Sequence, residues 1–246
     1  MQGHQVLHAP HRLLMGPGPS DAAPSVLKAM SMPLLGHLDP AFIQMMEEIK
    51  EMLRAVFRTR NPMTFPVSGT GSAGMEFCMV NLVEPGDEVV ICINGVFGMR
   101  MAEVAERCGA RVIKIEAPWG EIIPAEKVAL ALKDTKPKLV GLVHAETSTG
   151  AMTPVEEISR LAHEAGALML LDTVTSLAGC EVSLDDWKID AVYSGTQKCL
   201  SCPPGLAPVS LSQRALEAAQ SRKQKAVSYT HLRAHETGRN RVCRLL

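Results

Sequence analysis

The sequence predicts an α/β fold, a mostly parallel sheet with helices packed on both of its faces. Short apolar runs alternate along the chain with segments whose apolar residues recur at helical spacing, which is the pattern of strands joined by crossover helices. The apolar runs are continuous, as strands covered on both faces must be. With 246 residues, 46% of them hydrophobic, and a formal net charge of -1, the chain can bury one large core or two small ones.

The elements follow in order. Met1 to Arg12 is polar and histidine-bearing, without the apolar centre of a signal peptide. Gly16-Pro17-Gly18-Pro19-Ser20 alternates glycine with proline and cannot be regular structure, so residues 1–20 are predicted to be an extended arm. Pro40 to Phe57 places Phe42, Met45, Met46, Ile49, Leu53 and Val56 at helical spacing, a methionine-rich stripe expected to be core. A strand over Thr64–Val67, the turn Ser68-Gly69-Thr70-Gly71-Ser72-Ala73-Gly74 and a helix from Met75 to Leu82 come next. The alternation then repeats: strand Glu88–Ile93, helix Met99–Cys108, strand Arg111–Ile115, helix Ala125–Leu132, strand Lys138–Val143, helix Pro154–Glu164, strand Ala167–Leu171 and the buried run Ile189–Tyr193.

Ligands of such sheets bind beyond the carboxyl ends of the strands. Those ends carry the Ser68–Gly74 turn, Asn94 to Gly98, His144 to Gly150, Asp172-Thr173-Val174 and Ser194 to Lys198. Each has a plain reading and a chemical one. The Ser68–Gly74 turn is either a tight turn that needs glycine or an anion cup of backbone N–H groups at a helix start; it matches neither G-x-x-x-x-G-K-[ST] nor G-x-G-x-x-G. Phe97, between glycines at a strand-to-helix junction, is either core or a ring presented to a ligand. Asp172 ends an apolar run, so it is either a helix N-cap or a desolvated carboxylate that needs a cation. Lys198, after the last strand, is either a solvated loop lysine or an amine desolvated enough to attack a carbonyl.

Together, Asp172 about 26 residues before Lys198, S-G-T-G-S-A-G, N-G-x-F-G, H-x-E-T-S-T-G and S-G-T-Q-K resemble the class V, fold-type I pyridoxal-phosphate aminotransferases. More narrowly they resemble the alanine/serine-glyoxylate group, including its ureidoglycine-glyoxylate branch. The resemblance covers Leu13 to Lys225. It implies pyridoxal 5'-phosphate as cofactor, with Lys198 the lysine of the internal aldimine and the proton shuttle, and Asp172 the partner of the pyridine nitrogen. It implies Thr70, Gly71, Ser72 and Gln197 at the phosphate, Phe97 stacked on the ring where eukaryotic members have Trp, Thr147 near the phenolic oxygen and Val174 on the opposite ring face. The implied reaction moves an amino group from alanine or serine to glyoxylate or a similar 2-oxo acid, in a homodimer. Ureidoglycine as donor, or a lyase or desulfurase of the same fold, are the enzymatic alternatives, and an anion-binding scaffold domain is the non-enzymatic one.

Other classes are weaker. His144-x-Glu146 with Cys199-x-x-Cys202 superficially matches a zinc deaminase, but Lys198 precedes Cys199 and Pro203-Pro204 follows Cys202, so no metal is expected. Seven scattered cysteines, an odd number, suit reduced thiols and an intracellular setting, cytoplasmic or, in a eukaryote, peroxisomal. An aromatic content of 4% offers no stacking platform for nucleic acid, and no run of about 18 apolar residues predicts a membrane span. Val227 to Leu246, with four arginines against one glutamate, could be a basic arm, but Ser228 to Thr237 resembles a translated sequencing adaptor. The expected layout is therefore an arm over 1–20, a pyridoxal-phosphate-binding large domain over 21–226 and a non-native tail over 227–246. On that reading the small C-terminal domain is missing, and the chain as it stands is expected to be inactive.

Overall fold

The structure is a computed structural model and describes residues 10–224. In chain order the elements are α1 (Pro24–Ala29), α2 (Pro40–Phe57), β1 (Met63–Ser68), α3 (Gly71–Leu82), β2 (Glu88–Ile93), α4 (Val96–Arg107) and β3 (Arg111–Glu116). They continue with α5 (Ala125–Lys133), β4 (Leu139–Val143), α6 (Glu156–Glu164), β5 (Leu168–Asp172), β6 (Ala191–Tyr193), β7 (Leu206–Leu211) and α7 (Gln213–Gln220). The seven strands form one sheet in the order β1-β7-β6-β5-β4-β2-β3. Only β7 runs against the rest, pairing antiparallel with both β1 and β6.

Why the strands read as unbroken apolar runs is visible in their parity. Successive side chains point to opposite faces, and here both faces are covered. Val89, Ile91, Leu139, Val143, Leu168, Leu170, Ala191 and Tyr193 join one core with side chains of α3, α4 and α7. Val90, Cys92, Val140, Leu142, Met169, Leu171 and Val192 join the other with side chains of α5 and α6 and the end of α2. Asp172 continues the parity of Leu168 and Leu170, which turns it to the side of α3 and of Tyr193, its register partner on β6.

Two expectations are corrected, the burial of α2 and the start of α4. The methionine-rich stripe of α2 is not core: Met45 and Val56 are exposed and only Lys50, Leu53 and Phe57 are buried, because the helix reaches the sheet with its last turns alone. Helix α4 starts at Val96 rather than Met99, which places Phe97 in its first turn. Strand β7 and helix α7 have no counterpart in the sequence reading. Pro208 argues against a central strand, yet it lies inside β7 with Pro66 of β1 as its register partner. The predicted tail over 227–246 lies outside the described residues.

Candidate active site

Five loops meet at the carboxyl edge of the sheet. Asp172, the last residue of β5, is 2% exposed. Its Oδ2 accepts from Tyr193 Oη at 2.7 Å and its Oδ1 from the Val174 amide at 2.8 Å. Burial pushes its carboxyl up to about 6; the Tyr193 and Val174 hydrogen bonds oppose that shift, the Glu146 charge adds to it and the Lys198 charge opposes it. Among the described residues Asp172 takes part in no ion pair. A buried carboxylate held by two neutral donors is left with an unmet demand for positive charge.

Lys198 lies in the turn after β6 and is half-buried rather than fully desolvated. Its Nζ donates to the Pro17 carbonyl at 2.9 Å. The arm is fixed there because the Ser20 amide donates to the Gln197 carbonyl at 2.8 Å and Ser20 Oγ to the Lys198 carbonyl at 2.6 Å. Gly18, at φ 135°, permits the approach: a Cβ there would lie 2.6 Å from Lys198 Nζ. Lys198 lines a cleft of about 430 Å³ with Gly16, Gly18, Glu146, Thr147 and Thr175. Thr147 Oγ1 donates to Thr175 Oγ1 at 3.3 Å, and Thr175 Oγ1 to the Ala145 carbonyl at 2.6 Å, so the Thr147 hydroxyl is set on the wall.

The Ser68–Gly74 turn runs from β1 into α3, whose N-cap Thr70 makes no side-chain capping bond. The Gly71 and Ser72 amides have no acceptor among the described residues, the arrangement that favours an anion at a helix start. Gly71 packs on Val174: a Cβ would stand 2.8 Å from Val174 Cγ2. Gln197 brings a side-chain amide whose buried Oε1 has no partner among the described residues, so that end of the side chain is unsatisfied. Phe97 packs partly against the core, and Arg100 lies over its ring at 5.2 Å while Arg100 Nη1 donates to Ser72 Oγ at 3.4 Å.

The structure thus gathers all nine sequence-selected residues at one edge. Lys198 and Thr147 share the cleft, Asp172, Val174 and Gly71 are contiguous, and Ser72 and Phe97 are joined through Arg100. Sequence reasoning missed Tyr193, which faces Asp172 only through strand register, and the arm carbonyl that holds Lys198. It also gave no role to Glu146, which is 1% exposed and bonded to the Phe97 amide at 3.1 Å. His144 packs edge-on against Trp187 at 5.3 Å and burial lowers its pKa; among the described residues no group of three potential metal ligands occurs. The six cysteines there are unbridged, and among the described residues no helix is long and apolar enough to cross a membrane.

The residues fit pyridoxal phosphate. An aldehyde, a cationic ring nitrogen and a phosphate would meet a cleft lysine, an uncompensated buried carboxylate and a helix start with free amides. Comparison with known proteins leads to the same group. The family model "Aminotransferase class-V" matches residues 14–240. The chain is 43% identical to the (S)-ureidoglycine--glyoxylate transaminase of Bacillus subtilis over 224 residues, covering 91% of this chain and 54% of that protein. It is 44% identical to the alanine--glyoxylate aminotransferase of Rattus norvegicus over 223 residues, with the same two coverages of 91% and 54%. The crystal structure of an alanine--glyoxylate aminotransferase from Nostoc sp. superposes with a TM-score of 0.93 at 47% identity, covering 96% of this chain and 64% of that one. The chain spans about half the length of the curated relatives it matches. The fold is that of the fold-type I pyridoxal-phosphate transferases, and the chain belongs to the class-V aminotransferases, a pyridoxal-phosphate-dependent family.

Proposed function

We propose that the chain is the cofactor-binding part of a pyridoxal-phosphate aminotransferase that moves an amino group from a small amino acid to glyoxylate or a similar 2-oxo acid. The observation that carries this reading is Asp172, a buried carboxylate without a cation, on the same sheet edge as a lysine that faces a cleft. Bound pyridoxal phosphate would supply an electron sink for negative charge at the substrate's α carbon. Asp172 would offer its carboxylate to a protonated ring nitrogen, with Tyr193 and the Val174 amide fixing both oxygens. Lys198 Nζ would supply the amine that holds the cofactor and a base for moving the α proton. Thr70, Gly71, Ser72 and Gln197 would supply donors for the phosphate, Phe97 and Val174 would border the ring and Thr147 would offer its hydroxyl to the phenolic oxygen.

Glyoxylate as acceptor is favoured because it stands in the names of both the Bacillus subtilis and the Rattus norvegicus relatives. The donor, alanine, serine or ureidoglycine, differs between them. A homodimer is supported by the run of exposed apolar side chains from Leu13 to Val56, with Leu34 at 99% exposure.

The test is reductive trapping. The purified chain with pyridoxal phosphate should give a borohydride-stable adduct on the peptide that contains Lys198, and Lys198→Ala should give none. Trapping on another lysine would overturn the assignment of Lys198. In a protein that carries this chain at the full length of its relatives, spectral half-reactions with alanine, serine and ureidoglycine then rank the donors, and a desulfurase or lyase would reveal itself by product without net amino transfer to the cofactor.

A further inference from the structure

Helix α4 begins without a cap of its own. Its N-cap is Gly95, which has no side chain to accept from the first amides. The acceptors for its first three amides come instead from the loop after β4. Ser148 Oγ accepts from the Val96 amide at 2.9 Å, and Glu146 Oε2 accepts from the Phe97 amide at 3.1 Å and the Gly98 amide at 3.2 Å. The other carboxylate oxygen, Oε1, accepts from the Ser148 amide at 3.1 Å and from Ser148 Oγ at 2.7 Å. Glu146 takes part in no ion pair among the described residues, so these donors and the positive end of α4 are what hold a 1% exposed carboxylate in the fold. The contact is tight: a Cβ on Gly95 would lie 2.4 Å from Glu146 Cγ and 2.5 Å from Ser148 Oγ.

A Ser, Thr, Asn or Asp at position 95 would satisfy one amide and end the helix locally. A carboxylate from the loop after β4 does something else, because that loop also carries Thr147 and Glu146 itself lines the cleft beside Lys198. It fixes the first turn of α4 to the cleft wall. With its amide held by Glu146 and its outer face covered by Arg100 at 5.2 Å, Phe97 has both backbone and ring constrained.

We propose that Glu146 is a positioning residue, which through the Phe97 and Gly98 amides sets the pose of the Phe97 ring against the cofactor. This rests on the cofactor reading above. The experiment compares Glu146→Gln, Glu146→Ala, Phe97→Leu and the double variant Glu146→Ala with Phe97→Leu, each in the full chain. In the absence of cofactor, amide hydrogen exchange over Val96 to Met99 should quicken at least tenfold in Glu146→Ala and less in Glu146→Gln, which keeps one acceptor. With pyridoxal phosphate, borohydride trapping at Lys198 should persist. The visible circular dichroism per trapped-competent chromophore, which reports the pose of the ring, should fall at least twofold in Glu146→Ala and be largely restored in Glu146→Gln. In the Phe97→Leu background, replacing Glu146 should change the dichroism little further, since residues acting as one unit are not additive.

Unchanged exchange in Glu146→Ala would overturn the proposal, as would a dichroism loss that is equally large with and without Phe97. If Glu146→Ala does not fold, Glu146→Gln decides by the same two readouts. If the unaltered chain does not trap the cofactor at Lys198, the functional reading fails, while the exchange measurement still shows whether Glu146 holds the Phe97 backbone.

Discussion

At Asp172 the chain holds a charge where it is costly. An unpaired buried carboxylate is disfavoured by desolvation, and the two hydrogen bonds from Tyr193 and Val174 only partly offset that. Its folded pKa, about 6, lies above the ordinary value of 3.8. Between these values the folded chain binds more protons than the unfolded one, so this group's contribution to stability is greatest below about pH 4 and is lost as the pH rises to about 6. The size is roughly 3 kcal/mol, from about two pKa units at 1.36 kcal/mol each. Urea denaturation without cofactor should therefore show Asp172→Asn gaining on the unaltered chain by roughly that amount between pH 4 and pH 7. A difference that does not change with pH would show that Asp172 is not desolvated as the geometry indicates. Tyr193→Phe removes one of the two donors to the carboxylate and should cost about 1 to 3 kcal/mol at pH 7. The cost should be smaller at pH 4, where the carboxyl is protonated.

Among the elements, α3 is fitted to the sheet through its glycines. At Gly74 a Cβ would lie 2.9 Å from Tyr193 Cβ and 3.1 Å from Ala207 Cβ, both on strands of the sheet and neither able to rotate away. Helix propensity favours alanine over glycine by about 1 kcal/mol, whereas overpacking a well-filled contact costs about 1 to 3 kcal/mol. Gly74→Ala should thus be net destabilising by roughly 1 kcal/mol, read as a lower urea midpoint at unchanged slope. A gain in stability would mean that the helix can lift from the sheet without penalty. The same contact explains why α3 starts where it does. Gly71 against Val174 and Gly74 against Tyr193 bring the helix start down onto the ends of β5 and β6, beside Asp172.

For the molecule as a whole, apolar surface is distributed unevenly. Leu13, Met15, Leu27, Met30, Met32, Leu34, Met45 and Met52 are all exposed and all belong to the segment from the arm through α2. Exposed apolar side chains in this number are what the homodimer proposed above would cover. Stable homodimers bury well over 1,000 Å² with an apolar centre. Sedimentation of the chain should show a dimer, and Leu34→Glu with Met45→Glu should give a monomer with unchanged far-ultraviolet dichroism. A doubly substituted chain that still dimerises would place the interface elsewhere.

The alternation of apolar runs and helical spacing was enough to give the sheet, its parallel character and the edge at which ligands bind, because period and burial are written in local composition. The motif residues at strand ends were legible for the same reason: the direction of a parallel strand says which end its loop joins. What the sequence could not carry were relations between distant segments. Tyr193 lies opposite Asp172 only through the register of β5 and β6, Pro17 reaches Lys198 only because the arm folds back, and Glu146 caps a helix that starts 50 residues earlier. Strand β7 was hidden by Pro208, whose missing N–H argues locally against a central strand, while tertiary pairing with β1 and β6 overrides it. The exposure of the α2 stripe was likewise decided by packing. Spacing shows which side chains share a helix face, but only the position of the sheet decides whether that face meets protein.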